Sequence, residues 1–186
     1  MNDFTKKKEP SLQKYQSFSR MVVFQILCQR DLNPSDTFFD DERFILTEVD
    51  PDGKSENDSS LDIERALPVN TTEELEGSPS YPLPSEKDRS SAIQFARELR
   101  EAALAHQEEI DRKISDTALH WKLDRMTLTD RNVLRLALAE LFYFPTPVAI
   151  VIDEAIVLAK IFGSENSSSF VNGILGKIVC SLPPRE

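Results

Sequence analysis

Two histidines and two cysteines, His106, His120, Cys28 and Cys180, are the soft ligands and nucleophiles that the chain offers. Their spacing matches none of the short-range patterns that hold a zinc ion, and neither cysteine stands in a motif that would activate it as a nucleophile. Each cysteine instead falls inside an apolar helical pattern, where a free thiol acts as a small buried hydrophobe. His106 likewise lies on an apolar stripe and reads as a boundary or core histidine. Asp153-Glu154 has the residue types for acid–base or metal work, but neighbours on a helix point about 100° apart and do not converge. No glycine-rich cofactor loop is present. No catalysis, metal or cofactor is expected.

Phosphate recognition is the chemistry that remains. Lys6, Lys7, Lys8 and Lys14 stand against Asp3 and Glu9 in the first fifteen residues, a basic stretch suited to phosphate contact or to solvation as a tail. The net charge of −10 argues against nucleic acid only if it is spread evenly. It is not: between Leu46 and Asp88 twelve acids face three bases, which leaves the rest of the chain almost neutral. A nucleic-acid surface outside that segment is therefore compatible with the charge.

The elements that would position these groups are helical. Leu134, Ala137, Leu138 and Leu141 recur at i, i+3, i+4 and i+7, and so mark one face of a helix. Val148, Val151, Ile152, Ala155, Leu158, Ala159 and Phe162 mark a second, and Val171, Ile174, Leu175 and Ile178 a third. Ile150, Val157 and Ile161 lie off the second stripe, which places that helix at the centre. Thr127 precedes Asp130 by three residues, the spacing of a capped start. Pro147 suits a first helical turn with Thr146 as cap, Gly163 a helix end, and Ser167 to Ser169 the next start. Gly173 and Gly176 would allow another backbone to approach.

Upstream, Ile93, Ala96, Leu99, Ala103, His106, Ile110 and Ile114 form a long stripe behind a cap at Ser90 or Ser91. A short helix from Asp116 to Leu123 carries Trp121, an apolar anchor whose indole N–H requires an acceptor. Met21 to Cys28 is apolar on most sides and is broken only by Gln25, with Ser17 or Ser19 as its cap and Asn33-Pro34 as its stop. Another short helix fits Asp36 to Leu46, with Phe38, Phe39 and Phe44 as its face. The acidic stretch holds Pro68, Pro79, Pro82 and Pro84 and few aromatics, a composition that cannot bury enough apolar surface to offset ordering. The chain thus divides into a mobile basic arm (1–15), N-terminal helices (16–46), a disordered acidic insertion (47–88) and the remaining helices (89–182). No run is long and apolar enough for a membrane span and no secretory signal precedes the helices, so a cytoplasmic protein is expected.

The blocks LDRMTLTDRNVLRLALAEL, PVAIVIDEAIVLAKIFG and SSSFVNGILGKIV, in this order, resemble the C-terminal half of the transcription antitermination factor NusB family. The likeness extends through EEIDRKI and Trp121 to the helix from Ser19 to Asp31. It implies an all-α fold of two small packed helical bundles and a non-enzymatic protein. It further implies binding of boxA-type single-stranded RNA together with a NusE-like small-subunit ribosomal protein, in a complex that joins the RNA polymerase elongation complex during ribosomal RNA transcription.

Residue by residue, the family's arginine-rich run at the first helix is matched here only by Arg20, after Gln16-Ser17-Phe18-Ser19. Lys6, Lys7, Lys8 and Lys14 would have to stand in for the rest. Asn166 and Phe170 match the family's RNA-facing positions, where Phe170 has two roles open to it, stacking on a base or packing in the core. Asp130 matches an acidic position of the partner contact, and equally suits the positive end of a helix. Arg135, Glu140, Glu154 and Asn172 read as a structural hydrogen-bond and ion-pair network, because buried charges must be paired. The alternative to antitermination is a divergent protein–protein interaction module of the same fold that has lost specific RNA binding.

Overall fold

The computed structural model describes residues 11–35, 39–49, 81, 83–118 and 122–183. Seven α-helices and one 3-10 turn, and no strand, occur among the described residues: α1 Ser11–Leu32, α2 Asp41–Val49, α3 Glu86–Ala105, α4 Gln107–Thr117, the turn Leu123–Arg125, α5 Leu128–Tyr143, α6 Val148–Phe162 and α7 Ser167–Cys180. Helices α1 to α3 make one bundle and α4 to α7 the other. They meet through α5, which packs on α1 and α3 on one side and on α4, α6 and α7 on the other.

The central helix is α5, not α6. Every residue from Asn132 to Leu141 is buried, whereas α6 buries only Val151, Ala155, Leu158 and Ala159. Ile150, Val157 and Ile161 remain half-exposed. The misplacement has a physical cause: α5 carries Asn132, Arg135 and Glu140, which lower its apolarity, yet each is taken inside with a partner. The α7 stripe falls where its spacing puts it, with Val171, Ile174, Leu175 and Ile178 all buried.

Several boundaries differ from expectation. The chain is helical from Ser11, inside the stretch assigned to the arm, and Ser17 and Ser19 lie within α1 and cap nothing. Ser19 Oγ donates to the carbonyl of Ala92 at 2.9 Å and so ties α1 to α3. Helix α3 begins at Glu86 behind Ser85, not at Ser90 or Ser91. The long stripe is two helices broken at His106, which stacks on Tyr143 with ring centroids 4.0 Å apart. Helix α2 starts at Asp41, and Phe38, His120 and Trp121 lie outside the described residues.

Thr127 caps α5 as its spacing requires, its hydroxyl accepting from the Asp130 amide at 3.1 Å. Thr146 does not cap α6. Pro147 occupies the cap, and the Thr146 hydroxyl donates to Glu140 at 2.8 Å. Gly163 ends α6 in extended rather than left-handed backbone, and its requirement is space: a Cβ there would sit 2.5 Å from the Ala159 carbonyl oxygen and from Ser167. Gly173 and Gly176 face open space, so the close backbone approach expected of them is absent.

Candidate nucleic-acid interface

Ion pairs between helices set the orientation of the bundle. Arg20 meets Glu140, Asp31 meets Arg131, and Thr129 Oγ1 donates to the Phe162 carbonyl, so α1 runs antiparallel to α5 and α5 antiparallel to α6. Helices α1 and α6 are therefore parallel, in agreement with the contact of Phe24 with Phe162 at 5.1 Å. This arrangement decides which candidate residues can act together.

Arg20 is not a phosphate contact in this structure, contrary to the sequence expectation. It is 2% exposed, and its Nε and Nη2 donate to the two carboxylate oxygens of Glu140 at 2.7 and 2.6 Å. Its guanidinium also lies 5.3 Å from the Phe95 ring centroid. A planar fork satisfied by a carboxylate and covered by an aromatic ring has no face left for RNA. The sequence shows an arginine at a helix start; only the packing shows which way it points.

Glu154, on α6, sits beside this pair. Its Oε1 accepts from Ser17 Oγ at 2.7 Å, and its Oε2 lies 3.7 Å from Arg20 Nη1. Burial, then the Glu154 carboxylate, pushes the Tyr81 phenol well above its usual range, so that phenol stays protonated. A second cluster joins α1, α4 and α5. Asp31 accepts from Arg131 and Asn132, and Arg135 forks onto Asp111. Burial raises the Asp31 carboxyl, but the Arg131 hydrogen bond, Arg135 and Asn132 outweigh it and hold the group below the usual carboxylate range. Arg135, Glu140 and Glu154 thus form ion-pair networks, although in two clusters. Asn172 belongs to neither, being exposed.

Three candidates lie at the other end of the bundle, where α6 finishes and α5 begins. Asn166 is exposed at the N-cap of α7, and the Phe170 amide bonds back to its carbonyl at 3.0 Å, so the two share a face. Phe170 is half-buried and packs against the core, between the two roles open to it. Asp130, next to Thr129, is buried in the first turn of α5, and its Oδ1 has no hydrogen-bond partner. Lys14 lies in the first turn of α1, its side chain outside the described residues, as are Lys6, Lys7 and Lys8. Ser11 is thirteen residues before Phe24, so the start of α1 lies about 20 Å along the helix from the α7 end.

The cavity lined by Arg20, Glu140 and Glu154 has a volume of about 10 Å³, too small for any substrate. No group of three His, Cys, Asp or Glu side chains could hold a metal among the described residues. No helix among them is long and apolar enough to cross a membrane.

Residues 68–179 match the NusB family. The chain is 46% identical over 113 residues to the transcription antitermination protein NusB of Myxococcus xanthus, covering 60% of this chain and 81% of that protein. It is 46% identical over 104 residues to the same protein of Geotalea daltonii, covering 55% and 72%. Among solved structures, NusB of T. maritima superposes with a TM-score of 0.59 at 29% identity over 91% of this chain and 93% of that one. The NusB of a complex of antitermination factors NusB and NusE with dsRNA has the same fold, with a TM-score of 0.61 at 23% identity over 91% and 98%. With more than half of its length matched and its helices arranged as in those structures, this chain belongs to the NusB family of transcription antitermination factors, which are not enzymes.

Proposed function

We propose that the chain acts in the cytoplasm as an antitermination factor during ribosomal RNA transcription, binding boxA-type single-stranded RNA together with a NusE-like small-subunit ribosomal protein and reaching RNA polymerase through that complex. The observation that carries this reading is the 46% identity over most of the length of a transcription antitermination protein. The solved complex of NusB and NusE with dsRNA, on the same fold, supports a NusE-like protein and RNA as the classes of partner. In this reading Asn166 and Phe170 face RNA at the α7 end, Lys6, Lys7 and Lys8 supply phosphate contacts from the arm, and Lys14 supplies one from the first turn of α1. Asp130 meets the basic partner: a buried carboxylate oxygen without a donor favours an incoming cation. The division into arm, helical body and acidic insertion belongs to the same proposal, with its bounds moved to the helix ends: α1 takes in residues 11–15, α2 reaches Val49 and α3 begins at Glu86.

A second reading has its own observation. Arg20, the best match to the family's arginine run, is committed to Glu140, as a protein–protein module without specific RNA binding would allow. Titration of labelled boxA-like RNA, single-stranded and double-stranded, with and without the NusE-like protein and across a salt series, separates the two. Affinity above that of a scrambled strand, strengthened by the partner, is expected. Partner binding with no preference over the scrambled strand would overturn the RNA reading in favour of the module.

A further inference from the structure

We propose that the RNA-facing surface continues along α7 beyond its start: Lys177 holds a phosphate of the single strand, and Gly173 leaves the strand room to pass between Lys177 and Phe170. The inference rests on the RNA reading above. Asn166, Phe170, Gly173 and Lys177 recur at i, i+4, i+7 and i+11, which places them within about 60° of one another around the helix and spreads them over about 16 Å of its length. Asn166, Gly173 and Lys177 are exposed and Phe170 is half-buried, so solvent reaches this face from one end of α7 to the other. Lys177 makes no ion pair among the described residues, and it is the one charged side chain from Ser167 to Cys180. The chain has 32 acids, yet none lies on α7 to repel a phosphate. Gly173 is unfavourable inside a helix, and packing gives no reason for it, since a Cβ there would meet nothing within 4 Å. What glycine provides at an open position is close approach, and a nucleic-acid backbone lying along the helix is what uses it. Lys177 also suits the negative end of α7, a role that would stabilise the helix without RNA and that the measurements below separate.

The test uses the full chain with Lys177→Ala, Gly173→Ala, Gly173→Gln and, as a charge control on the other bundle, Lys87→Ala at the exposed start of α3. Affinity for labelled boxA-like single-stranded RNA across a salt series, affinity for the NusE-like protein, and Tm are measured for each. K177A is expected to weaken RNA binding about fivefold at 0.1 M salt with the salt slope shallower by about 0.7, and K87A to leave both at wild type. G173A and G173Q are expected to raise Tm, because each is a better helix former than glycine, while RNA affinity falls. The fall is larger for glutamine, about fivefold or more, because its side chain lifts the strand from Phe170. Partner affinity is expected to stay at wild type throughout. Wild-type RNA affinity and slope in K177A, an equal fall in K87A, or Gly173 variants that gain Tm at wild-type RNA affinity would each overturn the proposal alone. A wild-type chain that does not prefer boxA-like RNA over a scrambled strand would overturn the RNA reading and this proposal together.

Discussion

Arg20→Ala distinguishes an internal strut from a surface contact. In the folded chain the Glu140 carboxylate, 1% exposed, takes two charge-assisted hydrogen bonds from Arg20 at 2.7 and 2.6 Å and one from Thr146 at 2.8 Å. Removing the guanidinium leaves the carboxylate buried with the threonine hydroxyl alone. Breaking such a pair from one side costs about 3–5 kcal/mol, which in a domain of this size lowers Tm by about 6–20 °C. Removal of the arginine's packing on Phe95 adds to that cost. Urea unfolding of wild type, R20A, E140A and the double variant, followed by far-ultraviolet circular dichroism, measures it directly. The double variant is expected to lose less than the two single losses combined, with a coupling of about 1–3 kcal/mol, because the second removal no longer strands a charge. Replacing both with apolar residues, R20M with E140L, is expected to be neutral or stabilising. A loss below about 1 kcal/mol in R20A would refute the reasoning, since only an arginine held at the surface is so dispensable.

Three other outcomes follow from the packing. Gly163→Ala places a methyl group 2.5 Å from the Ala159 carbonyl oxygen and from Ser167, and is expected to cost about 1–3 kcal/mol in thermal unfolding through displacement of the α6–α7 turn. Asp31 has a folded pKa below its unfolded value of about 3.9. Its contribution is therefore present at neutral pH and lost as pH falls below about 4 through the folded value, so Asp31→Asn should lower stability at pH 7 and flatten the acid limb of a stability–pH curve. The thiol of Cys28 is pushed up to about 12 by burial first and the Asp31 charge next, against a lowering hydrogen bond from Asn132. Alkylation at pH 8 should thus modify exposed Cys180 rapidly and Cys28 only on unfolding, as read by mass spectrometry.

The helices and their buried faces were legible because apolar spacing reports burial directly, as Leu134, Ala137, Leu138 and Leu141 do. The cap at Thr127 was legible because its geometry is local. Rank within the core was not: the sequence marks Arg135 and Glu140 as members of a paired polar network, but their partners lie twenty-four and one hundred and twenty positions away and are not legible from spacing. The break at His106 was not legible either, because the stripe keeps its period across it. Of the candidate site, Asn166, Phe170 and Asp130 were named from the resemblance, and the structure puts Asn166 and Phe170 at the start of α7 and Asp130 in the first turn of α5. Arg20 carried the same kind of signal and pointed inward, because a residue's type and its place in a helix do not state which neighbour its side chain meets.

Helix α5, enclosed by α1, α3, α4, α6 and α7, has a kinetic consequence. No exchange-competent opening of its middle turns can occur without parting both bundles, so the amides from Asn132 to Leu141 should exchange with deuterium only through global unfolding, and their protection should equal the full stability of the fold. Helix α2, which packs mainly on α1 and α3 among the described residues, can open by itself and should exchange orders of magnitude sooner.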